Sequence, residues 1–493
     1  MKLIRWTALA VLLIIAYAFT SASIASGLVD FNDVRHHVDF TVGIALPLHV
    51  AWQALGEWRL VLCLWALVAG LAVAGAQIVR AMEIEGRLQP RMLVGIQALL
   101  LLALLAVTVT LSGDVYAYVI YGRLYGLAGL NPYLLGSPVS AAADPILRQA
   151  LAFYGNPPPA DNYGPLWTLF AGAIARLEAG FTLGAQVWTH RVAAAIAALA
   201  ATGGLFHAMR RLADSDRVKN AARFALHPLV LYETAVGGHN DILMVAAAIW
   251  AFAVVDDLPL VAGLLLGASI AVKYVSIVLV PFLVIRAARK GATGAILSAV
   301  ISIALPALLF RPFWNGIETV YSLVGHGGVL AMSPQWLADM PFFATGTADN
   351  PVLPGVVLPL FGQLTWPRIV QLAAITAFAA IALASIIRYA WDRRLAEIWR
   401  TLTAALYSLS IIHPWYALWT QPSATAQGRW AGFGWWLGVL VFLRYALDGI
   451  APQELGAAYT PILASLTIVM LVAPAVLAVR DTGSDTVTAV RKS

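Results

Sequence analysis

Apolar runs that meet or approach the length of a bilayer recur from one end of this chain to the other, and few folds can house them. Spanning hydrocarbon as a helix takes about 20 apolar residues. Residues 5–21, 60–79, 92–112, 184–209, 291–310, 369–387, 398–413, 430–447 and 459–479 are such runs. In lipid each backbone polar group must be satisfied within the protein, which favours helices. The 493 residues are 61% hydrophobic and 11% charged, with a mean hydropathy of +0.80. Soluble domains carry about a quarter charged residues. The reading is an all-α polytopic membrane protein, with residues 1–493 as one membrane-embedded domain. In that class the net charge of +6 reports cytoplasmic loops rather than a nucleic-acid partner. Cys63 is the sole cysteine, so neither an intrachain disulfide nor a Cys-based metal site can form. Lys2 and Arg5 ahead of an apolar stretch resemble a signal peptide; the stretch is read as an uncleaved first membrane helix.

Two further apolar stretches carry polar residues at their centres. Residues 221–255 contain Glu233, His239, Asn240 and Asp241, and residues 258–285 contain Lys273. Each is read as a helical hairpin with a polar tip. Basic clusters at 80–91, 210–223, 286–290 and 388–400, with Lys2, Arg5 and Arg444, hold 18 of the 31 Lys and Arg residues. Placing them in the cytoplasm orients the set. Parity then requires that residues 163–178 lie in the interface and not cross. About 13 crossings result, with the amino terminus inside and the carboxyl terminus outside. Long segments at 22–58, 114–183, 312–366 and 414–429 face outward. Of these, 114–183 is a first large outer loop with interfacial helices and 312–366 a second. Loops of this length are uncommon unless functional.

Asp114 stands where an apolar run meets water. It heads a segment holding Tyr116, Tyr118, Tyr121, Arg123, Tyr125, Asn131 and Tyr133. A carboxylate there is costly without a partner or a task. The tip containing His239, Asn240 and Asp241, the tip containing Lys273 and Tyr274, and the segment His413, Trp415 and Tyr416 share its side of the membrane. This set suits a transferase using a lipid-phosphate-linked sugar. Asp114, or Asp241 in its place, would take a proton from an acceptor hydroxyl. Lys273, Arg123 and His413 would stabilise the departing phosphate. Tyr116, Tyr118, Tyr121, Asn131, Tyr133, Tyr163, His239, Asn240, Tyr274, Trp415 and Tyr416 would hold the sugars. Simpler readings stay open: Asp114 and Asp241 as helix caps, Lys273 snorkelling, His413 as an interfacial histidine. No metal ligands are assigned, because Asp33, His36, His37 and Asp39 read as a wetted loop. No cofactor is assigned, and a divalent cation is left open.

These motifs stand in a fixed order: Asp114-Val115-Tyr116-Ala117-Tyr118 with Tyr121-Gly122-Arg123, Asn131-Pro132-Tyr133, Tyr163-Gly164-Pro165-Leu166-Trp167, Gly238-His239-Asn240-Asp241, Val272-Lys273-Tyr274 and Pro414-Trp415-Tyr416. From about residue 92 to 425 the chain resembles the bacterial polyprenol-phosphate-mannose-dependent alpha-1,6-mannosyltransferases of the GT-C glycosyltransferase superfamily. The resemblance implies a GT-C-like fold in a bacterial cell membrane. It also implies inverting transfer from a polyprenyl-phosphate sugar, mannose, to a lipid or glycan acceptor. The active site would lie on the non-cytoplasmic face, with Asp114 as base and a donor made by a cytoplasmic enzyme. A lipid-linked sugar flippase or a glycan ligase is the alternative.

The orientation is testable in a Cys63→Ala background. An impermeant thiol reagent applied to intact cells should label Ser140→Cys and spare Ser215→Cys. Labelling at position 215 would overturn the topology.

Overall fold

The computed structural model describes residues 1–28, 58–109, 111–134, 143–316, 318–319, 357–358, 362–363, 366–392, 395–409, 412–425, 429–448 and 465–478. Most of the segment 312–366, and Asp33, His36, His37 and Asp39, lie outside these residues. The described chain is helical, apart from a two-residue antiparallel pair, Val357–Leu358 with Gly362–Gln363. Among the described residues, five helices are long and apolar enough to cross a membrane: Lys2–Ala22, Val61–Ile84, Leu183–Ala208, Ala292–Phe313 and Arg368–Asp392. The expected count of about 13 crossings therefore rests partly on shorter pieces. The run at 92–112 folds as Pro90–Leu104, that at 398–413 as Ala396–Tyr407, and that at 430–447 breaks into Arg429–Leu440 and Leu443–Asp448.

The two polar-centred stretches do break at their tips. In the first, Pro228–Ala235 ends before Gly237 and Gly238, and Asp241–Val254 begins after them. Gly238 has φ +67°, and a Cβ there would press on Arg191 at 2.9 Å, so only glycine fits both the turn and the space. In the second, Pro259–Val272 stops at Lys273, whose backbone is extended, and a 3-10 turn Tyr274–Leu279 follows. The short link at 255–258 makes Asp241–Val254 and Pro259–Val272 antiparallel neighbours. The start of one and the end of the other thus meet, and this puts Asp241 beside Lys273.

Arg191, in Leu183–Ala208, fastens these pieces. It is buried, its Nε donates to the Ala235 carbonyl at 2.7 Å, and its Nη2 donates to those of Leu104 and Val107 at 3.0 and 2.8 Å. These carbonyls lie at the end of Pro228–Ala235 and at or just past the end of Pro90–Leu104, where intrahelical donors run out.

The loop segment after Asp114 forms Asp114–Gly126, Pro145–Tyr154 and Pro165–Leu177. Thirteen residues from Pro165 to Leu177 rise about 20 Å, a length this helix shares with Asp241–Val254 and Pro259–Val272. Gly122 lies against the Ala171 backbone, where a Cβ would meet the carbonyl oxygen at 2.5 Å. Gly164 donates its N–H to the Val272 carbonyl at 2.9 Å. That bond pins the loop to the helix end that carries Lys273.

Candidate functional site

Asp114 is the first residue of its helix. The N-cap is Gly113, and neither Gly113 nor Asn240, the N-cap ahead of Asp241, makes a side-chain capping bond. Neither carboxylate is used as a cap. Asp114 Oδ2 lies 3.6 Å from His239 Nδ1, and His239 Nε2 lies 3.3 Å from Glu233 Oε2. The imidazole is thus held between two carboxylates, with both contacts at ion-pair distances. Tyr445 donates to Glu233 at 3.1 Å, closing the far end of this chain of groups. Trp415 stacks on His239 at 4.1 Å and on His413 at 4.4 Å, so it lies between the two rings. Burial pushes the Asp114 carboxyl up. The neighbouring His239, then the charges of His413 and Lys273, outweigh it and hold the carboxyl below its usual range.

Asp241 is spent differently. Its Oδ1 accepts from Lys273 Nζ at 2.7 Å and from Trp419 Nε1 at 2.5 Å. Lys273 Nζ sits 4.3 Å from the centre of the Tyr416 ring, 5.5 Å from Trp419 and 5.9 Å from Tyr163, an aromatic cage for a cation. Its ammonium is therefore fixed and does not snorkel. Asn240 offers its backbone N–H to Tyr118 at 3.3 Å. The buried side-chain amide of Asn240 and Oδ2 of Asp241 make no hydrogen bond. Unpaired buried polar atoms call for a partner, and here they cluster beside Asp114, which keeps 19% side-chain exposure.

The structure thus joins Asp114, Tyr118, Tyr163, His239, Asn240, Asp241, Lys273, His413, Trp415 and Tyr416. Tyr133 and Tyr274 form a supporting layer, both donating to the Tyr163 carbonyl at 2.9 and 3.1 Å. The other candidates are engaged elsewhere. Arg123 pairs with Asp144 at 2.8 Å, and Asp144 in turn caps Pro145–Tyr154. Nine residues along one helix place Arg123 about 13 Å from Asp114 along the axis. Asn131 donates to the Phe313 carbonyl at 2.8 Å, Tyr121 to that of Pro159 at 3.0 Å, and Tyr116 stacks on Phe153. Among the described residues no group of three or more His, Cys, Asp or Glu is placed to hold a metal ion.

Sequence reasoning passed over Asp161, Thr168, Arg191, Trp419 as a ligand of Asp241, and Tyr445. Asp161 is buried, accepting from Thr168 Oγ1 at 2.7 Å and from the Tyr163 N–H at 2.8 Å. It sets the loop that carries Tyr163. Its only sequence signal is a lone acid next to a tyrosine-glycine-proline turn.

A sequence model of the alpha-(1->6)-mannopyranosyltransferase N-terminal domain matches residues 6–289. No curated protein and no solved structure matches the chain.

Burial raises the Asp161 carboxyl to about 7, against the opposing pull of Thr168 and the Tyr163 amide. An unfolded Asp titrates near about 3.9. The folded state therefore binds this proton more tightly. The stability it contributes is full below the unfolded pKa and lost as pH rises through about 7. Asp161→Asn cannot ionise, so its Tm relative to wild type should rise between about pH 5 and about pH 8. A Tm difference that stays constant over this range would refute the assignment.

Proposed function

Because the chain belongs to the alpha-(1->6)-mannopyranosyltransferase family, we propose that it moves mannose from a polyprenyl-phosphate donor to a hydroxyl of a lipid or glycan acceptor. The transfer inverts the anomeric centre and takes place on the non-cytoplasmic face of a bacterial cell membrane. The observation that carries this reading is the unequal use of two neighbouring carboxylates. Asp241 is wholly buried and committed to Lys273 and Trp419, whereas the Asp114 carboxylate is partly exposed and lies 3.6 Å from His239.

Asp114 is the base. The acceptor oxygen forms its bond to the anomeric carbon from the face opposite the phosphate. The carbon–phosphate oxygen bond breaks, and its electron pair leaves on the polyprenyl phosphate. The acceptor's proton passes to Asp114 Oδ2 or its partner oxygen. Lys273 lends positive charge to the leaving phosphate from a position fixed in advance, which is where electrostatic catalysis gains most. Asp241 and Trp419 position that ammonium. Glu233 and Tyr445 orient the His239 ring against Asp114. Tyr118 and Tyr163 give aromatic surface for sugar rings, while Trp415 and Tyr416, whose faces are taken by His239, His413 and Lys273, hold those groups in place. The apolar surfaces of neighbouring helices suit a prenyl chain.

Purified protein supplied with polyprenyl-phosphate-mannose and a panel of hydroxyl acceptors provides the test. A flippase would move the donor across vesicles without a mannosylated product. Asp114→Asn should cut turnover by about 10²–10⁴ while donor binding and expression persist, because a positioned base contributes that much. Near-normal turnover would remove Asp114 from the chemistry.

Lys273 requires a paired experiment. Lys273→Ala strands the buried Asp241 carboxylate, which costs about 3–5 kcal/mol when one partner of a buried pair is removed. Asp241→Asn/Lys273→Gln removes both charges and should regain most of the stability, read as Tm, without regaining transfer. Transfer restored in the double variant would show that Lys273 serves the fold alone.

A further inference from the structure

Three cations converge on a groove that none of the residues around Asp114 lines. Lys2 and Arg5 on the helix Lys2–Leu28 face Arg80 on Trp58–Ile84, around a cavity of about 450 Å³. Trp6 lines the same space, with Leu9 and Ile84 at its apolar side. The positions follow one stripe on each helix: Lys2, Arg5 and Leu9 on the first, Arg80 and Ile84 on the second, at spacings of three or four residues that share a helix face.

The nearby acids are already taken. Glu83 pairs with Lys219 at 2.6 Å, and Glu85 pairs with the Met1 amino group at 2.8 Å and with Arg87 at 4.0 Å. Among the described residues, Lys2, Arg5 and Arg80 have no carboxylate partner. Three like charges around one concavity repel each other and focus a positive field into it. An anion inside relieves that cost.

The groove also sits at one end of two candidate membrane spans, Lys2–Ala22 and Val61–Ile84. Leu9 and Ile84 are 41% and 59% exposed, so its apolar side is open. Trp6 supplies the amphipathic ring favoured at head-group depth. A free inorganic anion would meet the cations and leave these apolar surfaces uncovered. A phospholipid covers both. We infer that this groove binds an anionic phospholipid, its phosphate among Lys2, Arg5 and Arg80 and an acyl chain along Leu9 and Ile84. The inference is independent of the reaction at Asp114.

The experiment is native mass spectrometry of the full-length protein in detergent, with phosphatidylglycerol or zwitterionic phosphatidylcholine added. Wild type should retain one phosphatidylglycerol in preference to phosphatidylcholine. Lys2→Gln, Arg5→Gln and Arg80→Gln should each weaken retention by about fivefold, the worth of one basic side chain at an anionic lipid surface. The triple variant should lose it while keeping its Tm in lipid-free detergent. Arg87→Gln, off the groove, should retain the lipid as wild type does. Equal retention of both lipids by wild type, or unchanged retention in the triple variant, would overturn the assignment. If inorganic phosphate raises the Tm as much as phosphatidylglycerol does, and only with the three cations intact, the site belongs to a free anion and the lipid assignment falls.

Discussion

Everything around the candidate site depends on one guanidinium. Arg191 collects the carbonyls of Ala235, Leu104 and Val107 at and just past two helix ends, in the buried interior. Each such group left unpaired costs several kcal/mol in an apolar medium. The first of these ends leads into the turn that presents His239 and Asp241. The second leads into the short stretch that ends at Asp114. One side chain therefore fixes where both acidic elements emerge. Gly238, which has no room for a side chain against Arg191, records how tightly the two are fitted.

The site itself is not built for stability. A buried ion pair repays its desolvation only with excellent geometry and further hydrogen bonds; here the Trp419 N–H bonds to Asp241, and the rings of Trp419, Tyr416 and Tyr163 surround Lys273. A few atoms away, the Asn240 amide and Asp241 Oδ2 remain unpaired. Natural sequences break their own rules mainly at functional sites.

Much of this was legible in the sequence, for a definite reason. A charge inside an apolar run is visible without any knowledge of the fold, so Asp114, Asp241 and Lys273 stood out, and the proline, glycine and polar interruptions located the helix breaks around them. Membership of the mannosyltransferase family was legible in the order of the motifs. What could not be read were pairings between distant elements. Arg123 looked like part of the site because it follows Asp114 closely, but Asp144, 21 residues on, takes its charge. Arg191 lies within an apolar run and its partners are backbone carbonyls, which carry no sequence identity. Trp419 and Tyr445 are unremarkable aromatics until Asp241 and Glu233 are set against them. The number of crossings was hard to read because length on paper does not reveal where a helix stops: the run at 430–447 breaks after Leu440, and that at 92–112 ends at Leu104.

Four residues near the far end of the chain bear on how it must be made. Trp415, Tyr416, Trp419 and Tyr445 touch His239, Lys273, Asp241 and Glu233, yet all four lie beyond residue 289, where the family match ends. A ribosome would therefore finish Asp114, Glu233, His239, Asp241 and Lys273 more than a hundred residues before these rings. Until those rings arrive, Lys273 has the Asp241 carboxylate and the Tyr163 ring beside it. The nascent protein passes through a stage in which its most polar interior is uncovered, until the segment 414–445 closes over it.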